Sequence, residues 1–263
     1  MASAAAGEAG EAGKAGGDPL FDFSGKTVLI TGGSRGLGRQ MVNAFAARGA
    51  DVIIASRKID ACEEAAAQVR TMGRRALAIG AHCGRWDEVD GLIERAYAAF
   101  GRIDILVNNA GMGPKQPSAE VSEANYDSVL NLNLKGPFRL AARIGKRMAD
   151  GDGGAIINIS SIASFLPMPQ VVCYAMAKAG LNAMTVSLAA EYAPRVRVNA
   201  ICAGPFLTDI SQAWTQEMRD NAATALGRNG DPAEIVTSAL YLASPASSFT
   251  TGTLLRVDGG GAG

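Results

Sequence analysis

Seven continuous apolar runs alternate with helical patterns along nearly the whole chain, and this alternation constrains the fold more than any other feature. The runs are KTVLIT (26–31), DVIIAS (51–56), RALAIG (75–80), IDILVNN (103–109), AIINISS (155–161), VRVNAIC (196–202) and TLLRVDG (253–259). Helical patterns lie near 37–48, 59–72, 87–100, 122–149, 172–192 and 232–243. Because the runs are continuous rather than alternately polar and apolar, both sheet faces should be covered. The sequence predicts an α/β fold, a doubly wound parallel sheet of about seven strands with helices on both faces.

The charge balance of the 263-residue chain argues against nucleic acid and membrane partners. Lysine and arginine together number 25, as do aspartate and glutamate, so the formal net charge is zero. Proteins that bind phosphate backbones or anionic lipids normally carry a basic excess or a polybasic run. No apolar run reaches the roughly 18 residues that a membrane span needs. We expect a small-molecule partner, no nucleic acid and no membrane.

The start of the chain differs in composition from the rest. Residues 1–17 are rich in Ala, Gly and Glu, with no large apolar residue after Met1 and without the basic start and apolar core of a secretory signal. We expect residues 1–19 to be a disordered tail, with a short Ala-rich helix as the alternative, and 20–263 to be one domain. The cysteines match no disulfide or metal pattern, so we expect reduced thiols, a cytoplasmic location and no metal.

A glycine-rich loop, VLITGGSRGLG, joins the first strand to the first helix. Its glycines are spaced GxxxGxG rather than in the more common GxGxxG pattern. Glycines permit a tight turn and a close approach to a pyrophosphate, and the helix N-terminus offers unpaired N–H groups. We interpret the loop as a Rossmann-like dinucleotide site, with a simple turn as the alternative. The predicted cofactor residues here are Gly32, Ser34, Arg35, Gly36, Leu37 and Gly38.

The end of the second strand bears on the choice of nucleotide. An acidic residue there would hold the ribose 2′-hydroxyl of NAD, but this chain has Ser56, Arg57 and Lys58. Arg57 and Arg35 would suit a 2′-phosphate, since guanidinium groups form strong bidentate hydrogen bonds with it. We predict NADP(H) in preference to NAD(H). The alternative is that both arginines are solvated surface residues and that the cofactor is NAD(H).

Six motifs indicate a known family. TGGSRGLG, NNAG, NLNLKGPF, INISS, YAMAK and VNAICAG occur in the order and spacing of the short-chain dehydrogenase/reductase family. The chain resembles this family over about 24–260, and within it resembles bacterial 3-oxoacyl reductases and carbonyl reductases. The resemblance implies an oxidoreductase that interconverts a carbonyl and a secondary alcohol.

The resemblance also implies four catalytic residues. Tyr174 would be the general acid and base, and Lys178, one helical turn on, would lower the pKa of its phenol and hold the nicotinamide ribose. Ser161 would hydrogen-bond the substrate oxygen, with Ser160 as its competitor. Asn133 would interrupt its helix and hold a water for proton relay, or else be an ordinary helix residue.

Further cofactor contacts follow from the same resemblance. Asn109, Ala110 and Gly111 would line the adenosine ribose, and Thr208, after Gly204, would meet the nicotinamide carboxamide. The chain has Ala203-Gly204-Pro205 where the family usually has Pro-Gly.

The third strand is followed by His82 and Cys83, where the family commonly has an Asp that accepts from the adenine amino group. A neutral imidazole could accept in its place, or the His82 backbone and Cys83 could make the contact. A partly buried structural histidine is the alternative.

Two segments, 164–172 and 205–223, should face the substrate. The first offers Phe165, Leu166 and Met168, and the second Phe206, Leu207 and Trp214, which favours an apolar or amphipathic carbonyl compound. A 3-oxoacyl thioester is one option, because Lys146, Arg147, Arg195 and Arg197 could attract an acidic carrier protein. The resemblance implies a homotetramer. The competing hypothesis is a nucleotide-binding regulatory protein without catalysis.

Overall fold

Seven parallel strands form one sheet in the computed structural model, which describes residues 18–208, 211, 214–220 and 223–261. The strands are β1 (Thr27–Thr31), β2 (Asp51–Ser56), β3 (Ala76–Gly80), β4 (Ile105–Asn108), β5 (Gly154–Ser161), β6 (Val196–Ala203) and β7 (Leu254–Val257). Their order is β3-β2-β1-β4-β5-β6-β7 and every pairing is parallel. The order turns back between β1 and β4, where α/β sheets open a crevice for ligands. The predicted seven-stranded, doubly wound sheet is confirmed.

Helices cover both faces of this sheet. They are α1 (Gly36–Ala47), α2 (Ile59–Thr71), α3 (Trp86–Phe100), α4 (Glu123–Leu130), α5 (Gly136–Asp150), α6 (Val172–Glu191), α7 (Gln216–Asp220) and α8 (Ile235–Ala243). Short 3₁₀ turns lie at Pro19–Phe21, Ser118–Glu120, Ile162–Ser164, Pro232–Glu234 and Pro245–Ser247. Among the described residues, no helix has the length and apolarity needed to cross a bilayer.

Two apolar cores lie on opposite faces of the sheet because successive strand residues point to opposite sides. Val28 and Ile30 of β1 pack with α1, α2 and α8, whereas Leu29 packs with α3, α5 and α6. The β1 residues are completely buried, as expected for a central parallel strand. The apolar runs of the central strands therefore correspond to strands that are covered on both sides, whereas the edge strands β3 and β7 are only partly buried.

The structure corrects one predicted helix. Residues 122–149 do not form a continuous α-helix, because a π turn at Asn131–Lys135 separates α4 from α5. The Asn133 side chain donates to the carbonyl oxygens of Met112 (2.8 Å) and Val129 (2.9 Å), and so holds this turn. The predicted interruption of the helix at Asn133 is present.

The structure bears on two other predicted segments, the stretch after β6 and the N-terminal tail. The short helix α7 lies within 205–223, for which the sequence predicted no helix. The predicted disordered tail over 1–19 lies outside the described residues except for Asp18 and Pro19, and it stays a prediction.

Candidate active site

The predicted reactive residues meet at the carboxyl edge of the sheet, beside β4 and β5. Ser161 is the last residue of β5, and Tyr174 and Lys178 lie in the first two turns of α6. The Ser161 hydroxyl accepts the N–H of Ala163 at 3.1 Å and lies close enough to the Tyr174 phenol to lower the pKa of that group. Ser160 points to the other side of the strand, where its hydroxyl donates to the Lys178 carbonyl oxygen at 3.3 Å. The geometry therefore separates the two serines in favour of Ser161.

Lys178 is a buried cation beside this pair. Its Nζ donates to the carbonyl oxygen of Ile159 at 2.7 Å and lies 5.5 Å from the centre of the Tyr174 ring. Burial lowers the pKa of the Lys178 ammonium to about 8, because the charged form loses its hydration.

The pKa of Tyr174 differs from the expectation. Burial raises the pKa of the phenol above its ordinary value of about 10, and the hydrogen bond from Ser161 opposes this rise only in part. This net direction is opposite to the predicted lowering, and the Lys178 ammonium is directed at the Ile159 carbonyl. The phenol is consequently held in its protonated, proton-donating form.

Asn133 and Gly111 complete the reactive cluster. Asn133 is fully buried, and its Oδ1 accepts the backbone N–H of Met112 at 3.3 Å. A Cβ atom at Gly111 would lie 2.7 Å from Asn133 Oδ1 and 3.6 Å from Lys178 Nζ, so only glycine leaves room between these two side chains. Gly111 thus adjoins the reactive cluster, whereas the sequence had assigned it to the adenosine ribose.

The glycine-rich loop is packed as a close backbone turn. Gly32 and Gly36 have positive φ angles of 66° and 52°. A Cβ atom at Gly38 would lie 2.3 Å from the Gly32 carbonyl oxygen and 2.6 Å from Asn109 Nδ2. Leu37 packs against the core, which leaves only its backbone for a ligand. The loop thereby leads directly into the N-terminus of α1, whose N–H groups can bind a pyrophosphate.

Asn109 and Ala110 connect this loop to β4. Thr31 Oγ1 accepts the backbone N–H groups of Asn109 (3.0 Å) and Ala110 (3.1 Å). Asn109 Nδ2 donates to the carbonyl oxygens of Thr31 and Gly32 at 2.9 Å and 3.3 Å. The Asn109 side-chain amide therefore fixes the loop, and a ligand would meet mainly the backbone of this segment.

The adenosine end of the crevice carries the two predicted arginines. Ser34 Oγ lies 3.1 Å from Ser56 Oγ, which joins the glycine loop to the end of β2. Arg35 and Arg57 are both exposed beside these hydroxyls. The structure therefore places two guanidinium-bearing residues at the ends of the two segments that flank the predicted ribose site.

The contacts of His82 and Cys83 fit the alternative of a partly buried structural histidine. His82 Nδ1 accepts the Gly84 N–H at 3.1 Å, and the His82 N–H donates to Glu88 at 2.6 Å. The neutral ring in this arrangement carries its proton on Nε2 and can only donate from that atom. Cys83 is buried, and burial raises the pKa of its thiol to about 12. Neither an accepting imidazole nor the Cys83 side chain is thus available to adenine.

Gly204 and Thr208 lie where β6 ends. A Cβ atom at Gly204 would lie 2.5 Å from Asp258 Cα, so this glycine permits close contact with the segment after β7. Thr208 lies against Gly36, 3.6 Å from the position of a Cβ atom there. Thr208 thus approaches the glycine loop at Gly36.

The predicted substrate segments divide into exposed and buried side chains. Phe165, Met168 and Leu207 are exposed, but Phe206 is buried in the core against Gly230 and does not face a substrate. A cavity of about 460 Å³ beside Cys173 adjoins this region.

Sequence reasoning missed two residues of the loop between β4 and α4. A Cβ atom at Gly113 would lie 3.2 Å from the Tyr174 ring, and Lys115 Nζ lies 3.9 Å from Met218 Sδ of α7. The position of GMGPK (111–115) directly after a strand end was the available signal.

Comparison with known proteins identifies the family. A family model described as enoyl-(acyl carrier protein) reductase matches residues 32–261. The 2-dehydro-3-deoxy-D-gluconate 5-dehydrogenase of Escherichia coli is 36% identical over 246 residues, covering 91% of this chain and 96% of that protein.

Two solved structures extend this likeness. A 7α-hydroxysteroid dehydrogenase complexed with NADH and 7-oxo glycochenodeoxycholic acid has a TM-score of 0.89 and 31% identity, covering 93% of this chain and 97% of its own. A blue fluorescent protein from a metagenomic library, in complex with NADPH, has a TM-score of 0.87 and 33% identity, covering 92% and 100%. The chain belongs to the short-chain dehydrogenase/reductase family of oxidoreductases.

Proposed function

We propose that the protein is an NADP(H)-dependent oxidoreductase that interconverts an apolar or amphipathic ketone and its secondary alcohol. The observation that carries this proposal is the closeness of the Ser161 hydroxyl to the Tyr174 phenol, with the buried Lys178 one helical turn away. Reduction of a carbonyl builds negative charge on oxygen, and a positioned donor must meet that charge. Tyr174, held protonated by its burial, is such a donor.

The roles of the chain's own residues follow from their contacts. Ser161 holds the substrate oxygen beside the phenol, and Tyr174 gives its proton to that oxygen. Lys178 stabilises the resulting tyrosinate, because a buried positive charge favours a nearby anion. Asn133, whose oxygen faces Gly111 beside Lys178, positions the proton path towards the lysine. In alcohol oxidation the same groups act in reverse.

A nicotinamide dinucleotide fits the crevice between β1 and β4. The positive φ angles of Gly32 and Gly36 and the open N-terminus of α1 provide a backbone cradle for a pyrophosphate. Gly32, Ser34, Gly36, Asn109 and Thr208 would hold the group. When bound, the dinucleotide supplies or accepts the hydride of the reaction.

We propose NADP(H) over NAD(H) because Arg35 and Arg57 lie at the ribose end. One similar structure contains NADH and another contains NADPH, so the cofactor preference has to be decided by measured dissociation constants. Wild type should bind NADPH more tightly than NADH, and Arg57→Ala should remove about tenfold or more of that preference, as expected for a charged hydrogen bond. Tighter binding of NADH by wild type would refute this cofactor assignment.

The substrate proposal favours a free ketone or a small 3-oxoacyl thioester over a carrier-bound chain. The four cations that could attract an acidic carrier are occupied: Lys146 pairs with Asp150, Arg147 with Glu94, and Arg195 and Arg197 donate to backbone carbonyls. The charges of Lys146 and Arg147 are thus offset by carboxylates, and the donors of Arg195 and Arg197 are directed at the chain's own carbonyls.

We also propose a cytoplasmic homotetramer. Large apolar side chains are exposed in two separate places, at Phe138 and Val186 on α5 and α6 and at Tyr241 and Phe249 near β7. Two self-complementary faces are what a tetramer with twofold axes requires. Light scattering that gives the mass of a monomer at micromolar concentration would contradict this assembly.

The Tyr174→Phe variant tests the central proposal. With a panel of ketones and saturating NADPH, we expect kcat to fall on the order of a hundredfold or more, because general acid catalysis contributes at least that much. Dinucleotide affinity should change little, which shows that the fold is intact. Turnover close to that of wild type would exclude Tyr174 as the proton donor.

A further inference from the structure

The loop between β4 and α4 lies directly over the reactive tyrosine. Gly113 contacts the Tyr174 ring, with 3.2 Å between a Cβ built at Gly113 and the nearest ring atom. The backbone N–H of Gln116 donates to the carbonyl oxygen of Gln170 at 2.7 Å, which ties the same loop to the segment before α6. Lys115 lies between these two contacts in the chain, on the loop that packs against the Tyr174 ring.

The Lys115 ammonium has a weak partner there. Its hydrogen-bond contact among the residues that the structure describes is the thioether sulfur of Met218, 3.9 Å away on α7. None of the described carboxylates, including those of Glu120, Glu217 and Asp220, forms an ion pair with it within 4.0 Å. A thioether is a poor acceptor, so an anionic group entering the cleft would form a stronger, charge-assisted hydrogen bond.

The segment to which this loop is tied exposes apolar side chains. Phe165, Met168 and Val172 are exposed on one side, and Leu207 is exposed on the segment after β6. A cation at the edge of an apolar surface matches a molecule with an apolar body and one negative charge. Lys178, the other cation near Tyr174, is buried and bonded to Ile159, so it is not placed to bind that charge.

We propose that Lys115 is a specificity-determining residue that binds a carboxylate on the substrate, at the end remote from the reacting carbonyl. This inference rests on the proposed carbonyl reduction and narrows its substrate class to oxo acids with an apolar chain.

The experiment compares 7-oxooctanoate with its methyl ester, which differ in charge but share the reacting ketone. Wild type should have the higher kcat/KM for the acid. Lys115→Met, which keeps an unbranched side chain and removes the charge, should lower kcat/KM for the acid about tenfold and leave the ester within about twofold. Lys115→Arg should retain most of the preference. Lys146→Met, with the same change in net charge on exposed α5, should behave as wild type.

An equal acid-to-ester ratio in wild type and Lys115→Met would overturn the inference. Binding of unreactive octanoate and methyl octanoate, measured by calorimetry in the presence of NADPH, provides a readout that needs no turnover. Loss of octanoate preference in Lys115→Met supports the site, and unchanged preference contradicts it. Absence of turnover with every ketone would instead count against the proposed function.

Discussion

The crevice at the carboxyl edge of the sheet has two sides, which differ in how their residues are held. The nucleotide side is the glycine loop with Asn109, and the carbonyl side is formed by the segments before α6 and after β6. On the nucleotide side, Gly32, Gly38 and Asn109 are in close backbone contact, and an added Cβ at Gly38 would lie 2.3 Å from a carbonyl oxygen. On the carbonyl side, Phe165 and Leu207 are exposed side chains of connecting segments. A change at these glycines must therefore disturb the fold, whereas a change at the exposed side chains can alter the ligand alone. Members of one fold can thus keep one cofactor and accept different substrates.

The largest expected effect comes from Gly38→Ala. The new methyl group would collide with the Gly32 carbonyl and the Asn109 amide, both of which are fixed, so we expect about 3 kcal/mol or more of destabilisation and loss of NADPH binding. Urea unfolding and calorimetry measure the two effects.

Gly91→Ala is the matched control for this change. Gly91 lies on the exposed face of α3 with no atom within 4 Å of a built Cβ, so the same substitution should stabilise the protein by about 0.5–1 kcal/mol. If Gly38→Ala were as stable as wild type, the nucleotide side would not be the rigid half of the cleft.

The next effect concerns Lys178, whose charge is buried. Its pKa is about 8 in the folded protein and near 10.5 when unfolded, so below pH 8 the folded state bears the whole cost of the buried charge. Between these two values only the unfolded chain holds the proton, and stability rises with pH. Relative to Lys178→Met, cofactor-free wild type should gain roughly 2–3 kcal/mol between pH 7 and pH 10.

Denaturant unfolding of both proteins at each pH measures this difference and cancels the titration of other groups. A difference that stays constant with pH would mean that the ammonium is well solvated. Lys178→Met should be inactive at every pH.

The smallest effect on stability should come from Leu207→Ser. Because Leu207 is 45% exposed, the substitution should change the protein's free energy of unfolding by less than about 0.5 kcal/mol. The KM for apolar ketones should rise several-fold. Leu20→Ser, at a similarly exposed position near the start of the chain, should change neither the free energy of unfolding nor KM. Unchanged KM in Leu207→Ser would remove this residue from the carbonyl side.

The strands were predictable because their apolar runs are long and lie between helical patterns. Ser161 was favoured over Ser160 only through the resemblance to the family, because alternation along a strand does not say which of two neighbours faces the site. The π turn was predictable only as an interruption at Asn133, because its form depends on a carbonyl of Met112, 21 residues away. The bond between His82 Nδ1 and Gly84 is local, but no spacing rule indicates which ring atom a backbone N–H will meet.

The strand order has a consequence for how activity appears during folding. Adjacent β1 and β4 are separated by more than 70 residues, and Gly204 of the site donates its N–H to Val257 of the last strand at 2.9 Å. Such non-local pairings form slowly because long loops must close first. Carbonyl reduction should therefore recover late in refolding, together with the C-terminal strand, and a chain still lacking β7 should be inert although most of its helices have formed.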